Sequence, residues 1–112
     1  MKYTDTYGDT YELRFRRFVD GTYEYNHGIE FMAGREPYAY IEFYPSPFVE
    51  GRHEKPHPYM LWARGKDEIR ICQMLEDEGK LRFTGRKTDI YGECYEVEPC
   101  ADWLRSLPLV TY

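Results

Sequence analysis

Six side chains of this sequence could bind a metal ion: His27, His53, His57, Cys72, Cys94 and Cys100. His53 and His57 are separated by Glu-Lys-Pro, a spacing close to that of the histidine pair in zinc fingers. However, Pro56 and Pro58 flank His57, so this pair is not on a helix, and no Cys-x-x-Cys motif accompanies it. Surface histidines and single buried cysteines are the commoner states of these residues. The sequence therefore predicts no metal site and no cofactor.

A catalytic nucleophile has few candidates. Ser46 lies between prolines, Ser106 lies in a terminal segment of helical character, and no Gly-x-Ser-x-Gly motif is present. Cys94 could pair with His27 only if the fold brings the two side chains together. The segment 84–86, Thr-Gly-Arg, lacks the glycine spacing of a phosphate-binding loop. We expect a protein that is not an enzyme, and a small zinc- or cysteine-dependent enzyme is the alternative.

Glutamates alternate with tyrosines along the segments that should form strands. Carboxylates between aromatic rings can bind an arginine-rich surface through charge-assisted hydrogen bonds and cation–π contacts. The simpler alternative is an ordinary solvated face. The alternation places Glu24, Glu42 and Glu96 near the solvated face rather than in the core. The predicted partner-binding residues are Tyr23, Glu24, Tyr25, Tyr40, Glu42, Tyr44 and Glu96.

Length and charge limit the classes of function. A chain of 112 residues is expected to form one domain, residues 1–112. A content of 42% hydrophobic and 31% charged residues is typical of a soluble globular domain. The net charge of −5 argues against direct binding to nucleic acid, which requires a basic surface. The same charge is compatible with a basic protein partner or with solubility alone.

The cysteine count and the apolar runs bear on the compartment. Three cysteines without paired spacing predict no disulfide framework and fit a reducing cytosol. The first residues carry no apolar signal-peptide core, and no run approaches the roughly 18 apolar residues of a membrane helix. We therefore predict a cytoplasmic protein without a membrane partner.

The segment 11–44 should organise the fold. Three runs of alternating large and polar residues, 11–19, 22–32 and 38–44, predict a three-stranded antiparallel meander. Asp20-Gly21 suits a type I′ hairpin turn, and residues 34–37 suggest a second, longer turn. In the third run Ala39, Ile41 and Phe43 point one way and Tyr38, Tyr40, Glu42 and Tyr44 the other. Because this run is largely apolar on both faces, we place it centrally in the sheet.

Shorter elements should flank the meander. A first strand begins near Tyr3 and turns back at Gly8-Asp9, and the broken alternation at residues 16–18 suggests a bulge. The proline-rich segment 45–58 is a connection of a length that is usually mobile or functional. Residues 59–63 form either a short strand or the entry to a helix.

The second half of the chain should provide both helices. Residues 67–78 have good helix formers, with Ile71, Cys72, Met74 and Leu75 near one face, and Gly79 suits the end of that helix. A strand at residues 69–71 is the alternative.

After the first helix we predict a loop at residues 81–89, with a basic tip at Arg86 and Lys87, and then a strand at residues 90–98. Pro99 suits the first position of a final helix, residues 100–107, which Pro108 ends. In that helix Trp103, Leu104 and Leu107 should face inward. The predicted fold class is α+β: an antiparallel sheet of about five strands with one helix packed on it and a short C-terminal helix.

Three blocks of the sequence resemble small uncharacterised proteins carried by plasmids and conjugative elements of gut bacteria. The blocks are residues 3–15, residues 34–41 with Glu-Pro-Tyr-Ala at their centre, and residues 74–79 with residues 84–86, followed by a tyrosine-rich strand. The middle loop and the end after Pro99 depart most from that family. The resemblance implies a mobile-element context and no catalytic residue. Proteins of this size in that context are often inhibitors of host defence, including anti-CRISPR proteins.

Together these observations predict a non-enzymatic binding protein that inhibits a nucleic-acid-handling host defence enzyme, as an anti-CRISPR or anti-restriction protein. Its partner would be a protein with a basic nucleic-acid-binding surface, such as a CRISPR effector, rather than nucleic acid itself. An accessory protein of conjugation without inhibitory role is a further alternative. The sequence does not predict the oligomeric state.

Overall fold

The computed structural model describes residues 1–19, 27–45, 59–89 and 92–112. These residues form an α+β fold with a mostly antiparallel sheet and two helices. In chain order the elements are β1 (Lys2–Thr4), β2 (Thr10–Val19), β3 (His27–Ala33), β4 (Glu36–Pro45), β5 (Tyr59–Arg64), α1 (Lys66–Asp77), β6 (Leu81–Thr88), β7 (Cys94–Pro99), α2 (Ala101–Ser106) and β8 (Leu109–Thr111).

The described strands join in one sheet of eight, in the order β1-β2-β3-β4-β5-β7-β6, with β8 paired to β2. All pairs are antiparallel except β2 with β8. The α+β class is confirmed, whereas the prediction of about five strands is too low. The sequence pattern missed β6 and β8 and left β5 undecided between strand and helix.

Strand β6 occupies the segment predicted to be a loop. It pairs with β7, and the register shifts between Phe83 and Lys87, around Gly85. An irregularity of this kind allows a glycine with positive φ, here 90°, to sit inside a strand. Charged side chains such as Arg82 and Lys87 also suit a strand at the edge of a sheet. The loop prediction is therefore wrong, because turn-like residues also mark a distorted edge strand.

Strand β8 follows Pro108 and is too short for a periodic pattern. It pairs in parallel with β2, where Phe18 faces Val110. The Arg17 N–H donates to the Pro108 carbonyl at 2.8 Å, and the Tyr112 N–H donates to the Val19 carbonyl at 2.8 Å. The end of the described chain is thereby hydrogen-bonded along β2.

The meander β2-β3-β4 is confirmed, and so is the central position of β4 between β3 and β5. The second turn is tighter than predicted, since Ala33 already pairs with Glu36. The predicted Asp20-Gly21 turn lies outside the described residues, which resume at His27 opposite Val19.

The predicted bulge at residues 16–18 is wrong. Strand β2 pairs with β3 without a register shift from Leu13 to Val19. The alternation breaks because polar side chains occupy both faces of β2 at Arg16 and Arg17, both of which are half-buried. The register shift lies instead in the β3–β4 pair, where Phe31 pairs with Ala39 and Met32 with Pro37, so that β4 has one extra residue, Tyr38.

Helix α1 confirms the prediction to within one residue at each end, and the strand alternative is wrong. Its buried side chains are Ile71, Cys72 and Leu75. Gly79 follows the helix with φ 75°, and its N–H donates to the Glu76 carbonyl at 2.9 Å. The Lys80 N–H donates to the Leu75 carbonyl at 3.0 Å, which completes a Schellman motif.

The final helix is also present, but it begins later than predicted. Pro99 is the last residue of β7, where it pairs with Leu81, and α2 starts at Ala101. The predicted strand at residues 90–98 is confirmed from Cys94 onward; residues 90–91 lie outside the described part. The side chains predicted to face inward are partly buried against the core: Trp103, Leu104 and Leu107.

Residues that pair directly across neighbouring strands share a face of the sheet. The face that packs against α1 carries a core that includes Leu13, Ile29, Phe31, Ile41, Leu61 and Val97. The opposite face carries a row in which Glu42 faces Trp62 and Trp62 faces Glu96. Across the described ranges, neither helix is long and apolar enough to cross a bilayer.

Candidate functional site

A cavity of about 460 Å³ lies where the row of Glu42 and Trp62 meets the start of α1. We call it the acidic hollow. Its described lining residues are Tyr40, Glu42, Trp62, Arg64, Gly65, Glu68, Gly92 and Glu93. Three glutamates and one arginine thus converge on a single concavity that includes two aromatic side chains.

Strand periodicity explains the sheet side of the hollow. Tyr40 and Glu42 are two residues apart in β4, so their side chains point to the same face. Trp62 lies opposite Glu42 on β5 and is 1% exposed, whereas Tyr40 is 49% exposed. Trp62 therefore belongs to the packed floor of the hollow, and the Tyr40 ring is available to a partner.

The turn between β5 and α1 places Glu68. Gly65 has φ 81° and immediately precedes the helix, so the chain reverses direction within a few residues. Glu68 Oε2 accepts a hydrogen bond from the backbone N–H of Arg64 at 3.1 Å. This contact holds the carboxyl group over the first turn of α1, where the helix dipole favours negative charge.

The Glu68 carboxyl group is partly shielded from water. Burial raises the pKa of Glu68 from 4.5 to about 7, the neighbouring Arg64 lowers it, and Glu42 and Asp67 raise it further. The hollow therefore holds a carboxyl group that exchanges its proton near neutral pH. A bound cation would stabilise the ionised form of this group.

A network of tyrosine side chains holds the first turn of α1, next to the acidic hollow. Tyr3 donates a hydrogen bond to Asp67, and the Tyr3 ring lies 6.0 Å from the ring of Tyr38. The Tyr38 and Tyr11 rings are 4.6 Å apart. Burial, followed by the charges of Asp67 and Asp5, raises the pKa of Tyr38 to about 12. These phenols therefore stay protonated at neutral pH and tie α1 to the β1–β2 hairpin.

The structure brings together two of the predicted partner-binding residues, Tyr40 and Glu42. Tyr44 also lies in β4, where its backbone pairs with that of Met60. The other predicted residues of the β3 segment, Tyr23, Glu24 and Tyr25, lie outside the described residues.

Glu96 corrects one expectation. It is 2% exposed, so the prediction that it lies near the solvated face is wrong. The physical reason is that Glu96 shares its sheet face with Trp62, which is 1% exposed, so this part of the face is covered rather than solvated. Glu96 packs next to Trp62 in the cross-strand row, and its Oε2 atom has no hydrogen-bond donor within the described ranges.

Sequence reasoning missed Glu68 and Glu93. The sequence places Glu68 only in the predicted helix at residues 67–78, and Glu93 only in the predicted strand at residues 90–98. Neither position carries a local signal for a site, because the two residues meet Glu42 through the order of β4, β5 and β7 in the sheet. Glu93 also accepts a hydrogen bond from the Tyr95 hydroxyl at 2.6 Å, which orients its carboxyl group.

The metal and nucleophile candidates do not converge in the described part of the chain. There, no group of three or more His, Cys, Asp or Glu side chains could hold a metal ion; His53 and His57 lie outside it. Strands β4 and β5 separate His27 on β3 from Cys94 on β7. Since neighbouring strands lie roughly 4.8 Å apart, the two side chains are not in hydrogen-bond reach and the Cys94–His27 pair is excluded.

The buried thiols are also poor nucleophiles. Burial raises the pKa of Cys72 to about 12 and raises that of Cys94 above its usual value. A thiol reacts through its thiolate, which such surroundings disfavour.

Comparisons of the chain with protein-family models, with curated proteins and with solved structures found no match.

Proposed function

We propose that the protein is a non-enzymatic binding protein whose acidic hollow docks onto a basic, nucleic-acid-binding surface of another protein. One observation carries this proposal: Glu42, Glu68 and Glu93 converge from three parts of the chain beside the exposed ring of Tyr40. Carboxylates next to an aromatic ring suit arginine and lysine side chains. The overall charge of −5 has the sign that such a partner requires.

Electrostatic attraction would act before contact is made. An acidic protein is steered toward a basic channel, which raises the association rate. Because salt screens this attraction, the association rate should fall as salt is added. Exposed tyrosine side chains contribute contact area and lose little conformational entropy on binding.

The scaffold around the hollow supports a binding role. Tyr40 and Glu42 lie on the central strand of the sheet, and the Tyr3–Asp67 hydrogen bond holds the start of α1. A surface carried by fixed elements loses little conformational freedom when it binds, so more of its interaction energy appears as affinity.

We propose further that binding inhibits a nucleic-acid-handling host defence enzyme in the cytoplasm. An acidic protein seated on a nucleic-acid channel would exclude the nucleic acid by competing for the same arginines and lysines. A CRISPR effector is the first candidate, because three blocks of this sequence resemble proteins of mobile elements. This biological context rests on that resemblance, whereas the binding surface rests on the hollow.

The proposal is tested by adding the purified protein to CRISPR effectors and restriction enzymes and measuring DNA cleavage at increasing salt. We expect inhibition that weakens as salt rises. Replacing Glu42 and Glu93 by lysine should abolish the inhibition, whereas Asp77→Lys, a single charge reversal at an exposed position near the end of α1, should preserve it.

Two results would count against the proposal. Equal inhibition by the Glu42→Lys/Glu93→Lys variant and the parent would exclude the hollow as the binding surface. Binding to a defence enzyme without loss of cleavage would exclude inhibition and favour the accessory role.

A further inference from the structure

We infer that the acidic hollow holds one arginine side chain of the protein partner. The inference rests on the proposed binding function and assigns the chemical group that the hollow recognises. The occupant is a planar cation with several hydrogen-bond donors, presented by a protein.

The size of the hollow fits a single side chain with its flanking groups. Its volume of about 460 Å³ lies within the range of pockets that hold small ligands, roughly 300–1,000 Å³. Two of its lining residues, Gly65 and Gly92, have no side chain, and a Cβ atom added at either would meet no atom within 4 Å. The backbone at these two positions therefore leaves room for a group entering from outside.

The charge of the lining favours a cation. Among the lining residues that the structure describes, Glu42, Glu68 and Glu93 face one cationic side chain, Arg64, so acidic groups are in excess there. Glu96 lies in the same row behind Trp62, 2% exposed and with its Oε2 atom lacking a donor in the described ranges. Glu96 is not among the described lining residues, so it adds an acidic group next to the floor of the hollow rather than a contact with the occupant. The lining of the hollow and the neighbouring Glu96 are thus both acidic.

The geometry favours arginine over lysine. A guanidinium group has five N–H donors in one plane, and it can bind carboxylates on several sides at once. Here the carboxylates come from β4, the first turn of α1 and the bend before β7. The exposed Tyr40 ring provides a face on which a guanidinium group can stack, and guanidinium is more weakly hydrated than ammonium.

The test uses the protein alone with three small probes: N-acetyl-arginine methylamide, the lysine analogue, and the citrulline analogue, which is uncharged but has a similar shape. Amide and indole signals are followed by nuclear magnetic resonance during titration. We expect arginine to shift the Trp62 indole and the backbone signals of Glu68 and Glu93. Lysine should bind more weakly, and citrulline should produce no shift at these residues.

Matched variants locate the binding. Glu42→Gln together with Glu93→Gln should weaken arginine binding by about tenfold or more, since each change removes the negative charge from one hydrogen-bond acceptor. Asp77→Asn together with Glu36→Gln removes two exposed charges outside the hollow and should leave binding unchanged. An unaltered spectrum elsewhere in the double variant shows that its fold is retained.

Several outcomes would overturn the inference: equal shifts with citrulline, equal binding by the Glu42→Gln/Glu93→Gln variant, or shifts centred outside the hollow. Stronger binding of calcium or magnesium at the same residues would identify the hollow as a metal site instead. Because no defence enzyme is present, arginine binding can be established even if the protein inhibits none. Conversely, inhibition without arginine binding would leave the proposed function intact and exclude this occupant.

Discussion

Arg16 Nε donates a hydrogen bond to Glu30 Oε2 at 2.7 Å, across the pair formed by β2 and β3. Glu30 is only 6% exposed, and its second oxygen accepts a hydrogen bond from the Tyr112 hydroxyl at 2.5 Å. Arg16 also donates from its Nη2 atom to that hydroxyl at 3.0 Å. The three side chains form a closed network that joins the end of the described chain to the meander.

This network should matter for stability. Arg16→Leu leaves a buried acidic group with one donor fewer, so we expect the free energy of unfolding to fall by about 1–3 kcal/mol in urea denaturation. The control is Arg82→Leu, which breaks the more exposed pair with Glu98 and should cost roughly 0–1 kcal/mol. Equal losses of unfolding free energy in the two variants would show that the buried network stabilises the fold no more than the exposed ion pair does.

Gly28 should tolerate no larger side chain. A Cβ atom built there would lie 2.0 Å from the Ile41 carbonyl oxygen, which is backbone and cannot rotate away. Gly28→Ala must therefore separate β3 from β4, and we expect a loss of roughly 1–3 kcal/mol in the free energy of unfolding. Glu36→Ala, at an exposed position of the same strand pair, should change it by less than about 0.5 kcal/mol. A Gly28→Ala protein as stable as the parent would contradict the observed strand spacing.

Glu68 should impose a pH dependence on stability. Its pKa is raised to about 7 by burial, so the folded protein binds a proton that the unfolded chain releases near pH 4.5. The corresponding stability is present below that pH and is lost as pH rises through about 7. Glu68→Gln can still accept the Arg64 N–H and should remove this slope. Urea denaturation of parent and variant from pH 4 to 8 checks it, since the contributions of all other groups cancel in the difference.

A positive result would be a stability difference that grows in favour of Glu68→Gln as pH rises. A constant difference across the range would mean that Glu68 titrates as an exposed glutamate does, and would place it outside the shielded part of the hollow.

The three thiols should differ in reactivity. Cys72 and Cys94 are buried with raised pKa values, whereas Cys100 is exposed. Iodoacetamide at pH 8 should therefore modify the native protein once, at Cys100, and the unfolded protein at all three residues, as counted by mass spectrometry. The Cys100→Ser variant should stay unmodified while folded. Rapid alkylation of Cys94 in that variant would revive the cysteine-dependent alternative.

Local patterns in the sequence were sufficient to predict the meander and α1. Alternation predicted β2 and β4, and helix formers followed by Gly79 predicted α1 to within a residue. Strand β6 was missed because Gly85 and its basic neighbours look like a turn, although they belong to a distorted edge. Strand β8 was missed because three residues carry no detectable period.

The candidate site was only half predictable for a different reason. Tyr40 and Glu42 are neighbours on one strand face, so alternation brings them together in the sequence itself. Glu68 and Glu93 reach them only through the order of the strands, which no local pattern encodes. Glu96 lies beside the buried Trp62 on a covered part of the sheet face, and for that reason its alternation with tyrosine pointed to the wrong environment.

The two described ends of the chain share one strand: β1 pairs with residues 10–12 of β2, and β8 pairs with residues 17–19. The strands from β1 to β5 are neighbours in the sheet in the same order as in the sequence. During synthesis each of them can therefore pair with the next strand soon after that strand leaves the ribosome. The outer edge of β2 beyond residue 12, however, stays open until Thr111 has emerged. Contacts this distant in sequence slow folding. A chaperone that shields exposed strand edges should therefore stay bound to the nascent chain until β8 has left the ribosome and paired with β2.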